Sequence, residues 1–223
     1  KRDICVCNCA GYATAAVADL VFGMLISRYR NLEACGTAVR TGGTKAGLTG
    51  FELEGKTFGI VGAGAIGCRV ARIAQAFGCT VYAWSRTQKD IEGVTWTDLD
   101  TLLSACDIVS LHVPLTEETR GLINAEKLSL MKPSAVLINT ARGPVVDAAA
   151  LSDALNEERL AGACIDVFDT EPPLLADTPL LQAKNLTAAP HIGFATKEAF
   201  LKRAHLVFEN IRAFLDGSPK NCV

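Results

Sequence analysis

Three short motifs in a fixed order hold the side chains that could do chemistry. They are Gly62-Ala63-Gly64-Ala65-Ile66-Gly67, then Asn139-Thr140-Ala141-Arg142-Gly143, then Asp166 to Glu171 followed by Pro190-His191-Ile192-Gly193. Arg142 offers a permanent, planar cation that suits a carboxylate and the carbonyl oxygen beside it. His191 is an acid whose unperturbed pKa lies near neutrality, and Glu171 would hold its ring and favour the protonated form. A nucleotide cradle, a cation and a carboxylate-histidine couple are the parts needed to exchange a hydride and a proton with a small oxo acid. Each residue alone has a plainer reading: an arginine ending a buried strand, an acidic loop residue before Pro172-Pro173, a histidine satisfied by backbone. Their joint spacing favours the chemical reading. Of the other histidines, His112 reads as lining a cofactor cleft and His205 as a packing or surface residue of the last helix.

The elements that must position these residues can be read from periodicity. With 19 glycines in 223 residues the bare glycine pattern carries little weight. Its context carries more: it follows an apolar strand, Thr57 to Val61, and opens a helix ending near Phe77-Gly78. In that arrangement backbone N–H groups and a helix N-terminus hold a pyrophosphate. Strand and helix signals then alternate: Thr80 to Trp84, a helix around Leu99 to Ser104, Ile108 to His112, a helix near Ala125 to Met131, Ala135 to Asn139, a helix from Ala148 to Glu158, and Ala161 to Val167. The pattern predicts an α/β fold of the Rossmann type, a doubly wound parallel sheet covered on both faces. Before it, Ile4 to Cys9 reads as a short strand, Gly11-Tyr12 opens a helix reaching about Arg30, and Gly36 to Gly50 is a polar connection. The last helix runs from about Thr196 to Asp216 and stops at Gly217, with Pro219 beyond.

Composition excludes several classes. A formal charge of −2 leaves no basic stripe for a phosphate backbone, so no nucleic-acid partner is expected. The apolar stretch Tyr12 to Ile26 is too short to span a bilayer and contains Asp19, so no membrane is expected either. Lys1-Arg2-Asp3 is not followed by a leader-like run. Nine scattered cysteines, odd in number, read as reduced thiols of a cytoplasmic protein. Cys5, Cys7 and Cys9 alternate at period two, as on one buried strand face. A metal site there would need further ligands, and none lie near in sequence, so no metal is expected.

The second nucleotide determinant lies about twenty residues beyond the glycine turn, where a carboxylate would bind the ribose 2′-hydroxyl of NAD. Trp84-Ser85-Arg86-Thr87 stands there, followed by Lys89. Ser85 does not repel a 2′-phosphate and Arg86 can pair with it bidentately, so NADP(H) is the expected preference, with NAD(H) the other possibility.

From Gly11-Tyr-Ala-Thr-Ala-Ala-Val-Ala-Asp19 through Leu111-His-Val-Pro-Leu-Thr116, Met131-Lys-Pro133 and Asn139-Thr-Ala-Arg-Gly143 to Pro190-His-Ile-Gly193, the chain resembles the nucleotide-binding part of the D-isomer-specific 2-hydroxyacid dehydrogenases. The resemblance implies that Gly62, Gly64, Ala65, Ile66 and Gly67 meet the pyrophosphate, that Ser85, Arg86 and Thr87 with His112, Val113 and Pro114 border the adenosine, and that Thr140, Ala141 and Asp166 surround the nicotinamide. Asp166 would accept from the carboxamide, with Arg142, His191 and Gly193 completing the contacts. It implies catalysis by Arg142, Glu171 and His191 on a small 2-oxo acid of the glyoxylate or hydroxypyruvate type. In the family's formate dehydrogenases a glutamine replaces Glu171, so the glutamate favours an oxo-acid reductase. Alternatives are a nucleotide-sensing module like the family's corepressors and a dehydrogenase of another small anion. The resemblance also implies a homodimer and a division into residues 1–10 as a remnant of an N-terminal substrate domain, 11–200 as the NAD(P)-binding domain, and 201–223 as a helix and tail returning toward the largely missing substrate domain. The chain is therefore expected to be a truncated or processed piece.

Overall fold

The computed structural model describes residues 4–170 and 173–223. Two helices come first, α1 (Thr14–Tyr29) and α2 (Leu32–Arg40). Strands and helices then alternate: β1 (Thr57–Val61), α3 (Ala65–Ala76), β2 (Thr80–Trp84), β3 (Val94–Trp96), α4 (Leu99–Ala105), β4 (Ile108–Leu111), α5 (Ala125–Leu130), β5 (Val136–Asn139), α6 (Ala148–Asn156), β6 (Gly162–Ile165), β7 (Leu186–Ala188) and α7 (Lys197–Leu215).

The strands are short because each needs only four or five apolar residues to cross a sheet buried on both faces. Side chains alternate across it. Val109, Leu111, Leu137, Ala163 and Ile165 enter one core, while Ile108, Val136, Ile138 and Cys164 enter the other. The second core also receives Ala18, Val21, Phe22 and Leu25 of α1 and Val70, Ala71 and Ala74 of α3. All seven strands run parallel in the order β3-β2-β1-β4-β5-β6-β7. Chain direction across the sheet reverses between β1 and β4, the switch point where a crevice opens at the carboxyl edge.

The register fixes that edge. Trp84, Val61, Leu111, Asn139, Ile165 and Ala188 are successive Cα partners from β2 across to β7. Every loop carrying a candidate residue leaves from this row.

Four features differ from the sequence reading. Ile4 to Cys9 is no strand but makes a single antiparallel bridge, Cys7 to Cys222, and Cys5 is exposed; with no further partner strand to pair with, the alternation does not bury a face. The expected polar connection, Gly36 to Gly50, is helical over its first five residues, which complete α2; Gly36 and Thr37 are weak helix formers that read as loop, and α2 buries none of its own side chains. β3 and β7, three residues each at the sheet edges, are too short for periodicity to mark. The first helix starts at Thr14, because Gly11, at φ 87°, belongs to the preceding turn.

One polar clamp ties the opposite, amino edge of the sheet. Asp107 accepts from the Thr57 N–H and hydroxyl, each at 2.9 Å, and pairs with Lys132 Nζ at 2.9 Å. Partial burial disfavours its charge, but Lys132 and the Thr57 donors more than offset this and hold the carboxyl below its ordinary range. A lowered folded-state pKa adds stability above the unfolded value, about pH 4, and that stability is lost as pH falls through the folded value. Asp107→Asn should therefore cost about 1–3 kcal/mol at neutral pH in urea unfolding, and the gap from wild type should narrow as pH falls below the ordinary carboxylate range.

Candidate active site

The carboxyl edge collects most of the buried polar side chains. Among the described residues, the buried polar or charged ones are Ser110, Asn139, Thr140, Ser152, Asp166 and Asn210, and four of these six stand at or just beyond the ends of β4, β5 and β6. An interior polar group must be bonded or it destabilises the fold, so each has a partner to account for.

The glycine turn joins β1 to α3. Gly62 sits at φ 101°, and a Cβ there would lie 2.8 Å from the His112 carbonyl. A Cβ on Gly67 would overlap the Gly62 carbonyl oxygen. Gly64 caps α3 without a side-chain bond, and a Cβ on it would meet nothing within 4 Å. By contrast Asp98, Asn124, Asp147 and Thr196 each cap their helices with a side-chain oxygen. The first N–H groups of α3 therefore face open space with the positive end of the helix dipole behind them, a fit for a pyrophosphate.

A cleft of about 550 Å³ continues from this turn past Trp84, Ser85, Arg86 and Thr87 to His112, Val113 and Pro114. These are the residues expected to border an adenosine, and the fold brings them together. The Arg86 side chain is 88% exposed and lies 3.8 Å from Glu118 on the opposite lip, which is 80% exposed; a pair so open to water is easily exchanged. His112 Nε2 lies 2.9 Å from the Ser110 hydroxyl. Desolvation of the ring pushes its pKa down to about 3, so it stays neutral and serves as a wall of the cleft.

Thr140, Ala141 and Arg142 leave β5. Asn139, 1% exposed, shapes this turn with both ends of its amide. Its Oδ1 accepts from the Ala141 N–H at 3.0 Å, and its Nδ2 donates to the Arg142 carbonyl at 2.9 Å. Arg142 Nη1 donates to the Ala141 carbonyl at 2.6 Å, leaving an exposed guanidinium on a fixed turn. Among the described residues, Thr140 Oγ1 is the buried side-chain polar atom without a hydrogen-bond partner. A nicotinamide or ribose group arriving here would satisfy it, a second indication that the crevice fits a dinucleotide.

Asp166, 1% exposed just past β6, accepts from the Ile192 N–H at Oδ1 and from the Gly193 N–H at Oδ2, both at 2.8 Å. Its carboxylate thus anchors the loop after β7. A Cβ on Gly193 would lie 2.9 Å from Asp166 Oδ2, so the close approach requires glycine. The residue before this clamp, His191, is held at φ 58°, in the left-handed region that few residues other than glycine adopt. Its ring meets Phe194 edge-on at 5.5 Å, Phe194 meets Phe200 in the same way, and the Arg203 guanidinium stacks over both phenyl rings. Glu171 lies outside the described residues.

The structuring roles of Asn139 and Asp166 were not visible in sequence. A polar residue directly after an apolar strand marks the position, yet nothing in the sequence says that its partners are backbone groups two to twenty-seven residues on.

Comparisons with known proteins follow the same outline. Residues 22–193 match the model of the D-isomer specific 2-hydroxyacid dehydrogenase NAD binding domain. The glyoxylate reductase of Thermococcus litoralis is 44% identical over the whole chain, which covers 71% of that relative. An acyclic imino acid reductase solved with NADPH and D-Arg superposes with a TM-score of 0.92 at 33% identity, over 99% of this chain and 71% of the other. A D-lactate dehydrogenase from Aquifex aeolicus, solved with NAD and lactic acid, superposes with a TM-score of 0.89 at 32% identity, over 96% and 70%. With the nucleotide crevice, the fold and the length of the match in agreement, the chain belongs to the D-isomer specific 2-hydroxyacid dehydrogenases, whose NAD-binding domain it carries.

Proposed function

We propose that the protein reduces a small 2-oxo acid, of the glyoxylate or hydroxypyruvate type, to the D-2-hydroxy acid. The carrying observation is that Arg142 and His191 project from loops at one edge of the sheet, on either side of Asp166, beside the uncapped start of α3 and the unsatisfied Thr140 hydroxyl. The glyoxylate reductase relative supports the choice of substrate.

The nicotinamide dinucleotide, when bound, supplies the hydride. Gly62 to Gly67 would hold its pyrophosphate, and Thr140, Ala141, Asp166 and Gly193 its nicotinamide end. Arg142 binds the substrate carboxylate and polarises the carbonyl, drawing negative charge onto the oxygen that must be protonated. His191 delivers that proton; the Asp166 clamp holds the two residues after it, and its ring meets the Phe194 edge. Glu171 would keep the imidazole protonated until transfer. Because Arg142 sits on a turn fixed by a buried amide, little reorganisation is needed when substrate arrives.

Two finer readings accompany this. Ser85 and Arg86 favour NADP(H): Arg86 exchanges Glu118 for a 2′-phosphate, while no carboxylate occupies position 85 to repel it. A homodimer is supported by α2 and the following connection, where Leu32, Val39 and Phe51 are exposed by 51%, 77% and 65%. Among the described residues no helix is long and apolar enough to cross a membrane.

Three measurements test these readings on the complete protein. His191→Asn, which accepts the left-handed backbone, should lower kcat with glyoxylate and hydroxypyruvate by about 10²–10⁴-fold while cofactor affinity is kept; cofactor binding without turnover in the wild type would point to a sensor instead. Arg86→Ala should lower kcat/KM for NADPH by about tenfold or more and leave NADH nearly unchanged, whereas wild-type rates equal or better with NADH would remove the preference. Light scattering at micromolar concentration should give twice the chain mass, and a monomer mass would reject the dimer.

A further inference from the structure

We propose that Cys5, Cys7 and Cys222 form a binding site for a thiophilic divalent cation, zinc in the first instance, which ties the segment before α1 to the segment after α7. Cys5 and Cys7 alone are too few for a metal, but the fold supplies a third thiol 217 positions after Cys5. The Asn8 N–H donates to the Asn221 carbonyl at 2.9 Å and the Val223 N–H to the Val6 carbonyl at 3.0 Å. Between them Cys7 and Cys222 face each other as a non-hydrogen-bonded antiparallel pair, the position where cross-strand side chains approach most closely. Cys5, two residues earlier, falls on the same face. The backbone, rather than a chance of side-chain rotation, therefore gathers the three sulfurs.

Their spacing suits a metal. Cys5 Sγ lies 3.7 Å from Cys7 Sγ and 3.8 Å from Cys222 Sγ, and all three fall within 4.8 Å of one another. A tetrahedral zinc with Zn–S bonds of about 2.3 Å has S···S edges of about 3.8 Å, whereas a disulfide would require one pair to close to about 2.0 Å. The frame is also preorganised. Asn210, 6% exposed on α7, donates from Nδ2 to the Asn8 carbonyl at 3.0 Å and accepts from Asn221 Nδ2 at 2.8 Å, locking both segments to one helix. The fourth ligand is water, admitted by the cavity of about 300 Å³ that Cys5 and Cys7 line with Val207, Ile211 and Phe214.

Without a metal the cluster resists ionisation: desolvation, then the hydrogen bonds and charge of its two neighbours, push the Cys7 thiol up to about 11. A dication reverses that balance, and each thiol releases its proton to solvent as its S–metal bond forms.

The test uses the complete protein, reduced and stripped with chelator under argon, then titrated with zinc chloride by calorimetry and with cobalt(II) as a spectroscopic probe. One zinc per chain, proton release, a thiolate-to-cobalt charge-transfer band and a zinc-dependent rise in Tm are expected. Cys7→Ser and Cys222→Ser should each weaken zinc by roughly 100-fold or more and abolish the band, with Cys35→Ser unchanged. The affected thiols lie at the surface or half-buried, and an unaltered metal-free Tm confirms that the variants fold. Binding that is absent or substoichiometric, affinity unchanged in Cys222→Ser, or a Cys7–Cys222 disulfide in protein isolated without reductant would overturn the site.

Discussion

The in-register carboxyl row of the parallel sheet is the constraint on which the rest of this structure depends. Trp84, Val61, Leu111, Asn139, Ile165 and Ala188 stand side by side. A one-residue slip of any strand would exchange its core faces, moving Leu137 to the side of Val136 and Ile138. Burial on both faces thus pins the height at which each loop departs. Arg142 and His191 are brought to the same edge of the sheet by hydrophobic packing.

Packing sets heights, and buried polar groups then set directions. Asn139 and Asp166 are each 1% exposed, and each gives both polar atoms of its side chain to backbone. One shapes the turn that carries the cation; the other anchors the loop that carries the imidazole. Such groups are tolerated in the interior because they are satisfied, and once satisfied they leave few alternative loop conformations. The positive φ at His191 is the counterpart of this rigidity, a local strain maintained by the clamp immediately after it.

Much of this was legible in the sequence. Apolar runs of four or five residues between helical segments gave the doubly wound sheet, and the glycine turn gained its meaning from the strand before it and the helix after it. Arg142 stands just past β5, an apolar run that the sequence marks, whereas the strand before His191 left no such mark and only the spacing of the motifs pointed to that residue. What escaped had physical reasons. Edge strands of three residues hold too little periodicity, and the Gly36-Thr37 pair inside α2 reads as loop rather than helix. The thiol cluster at Cys5, Cys7 and Cys222 joins residues whose separation in sequence hides their adjacency, and Asp166 serves a backbone clamp that its sequence context does not announce.

The two halves of the crevice do not rest on equally secure footings. The nucleotide turn grows from β1, a central strand paired on both sides, with α3 and α1 packed over it. The histidine loop hangs from β7, three residues long and paired only to β6 within the sheet. Opening one short edge strand exposes little apolar surface and requires less free energy than disrupting the centre of a sheet. On the role proposed for His191, fluctuations that detach β7 would displace the proton donor while the dinucleotide cradle stays folded. Under mild heat or denaturant the molecule would then pass through a state that still holds its nucleotide and has already lost its chemistry, a separation of recognition from turnover written into strand position alone.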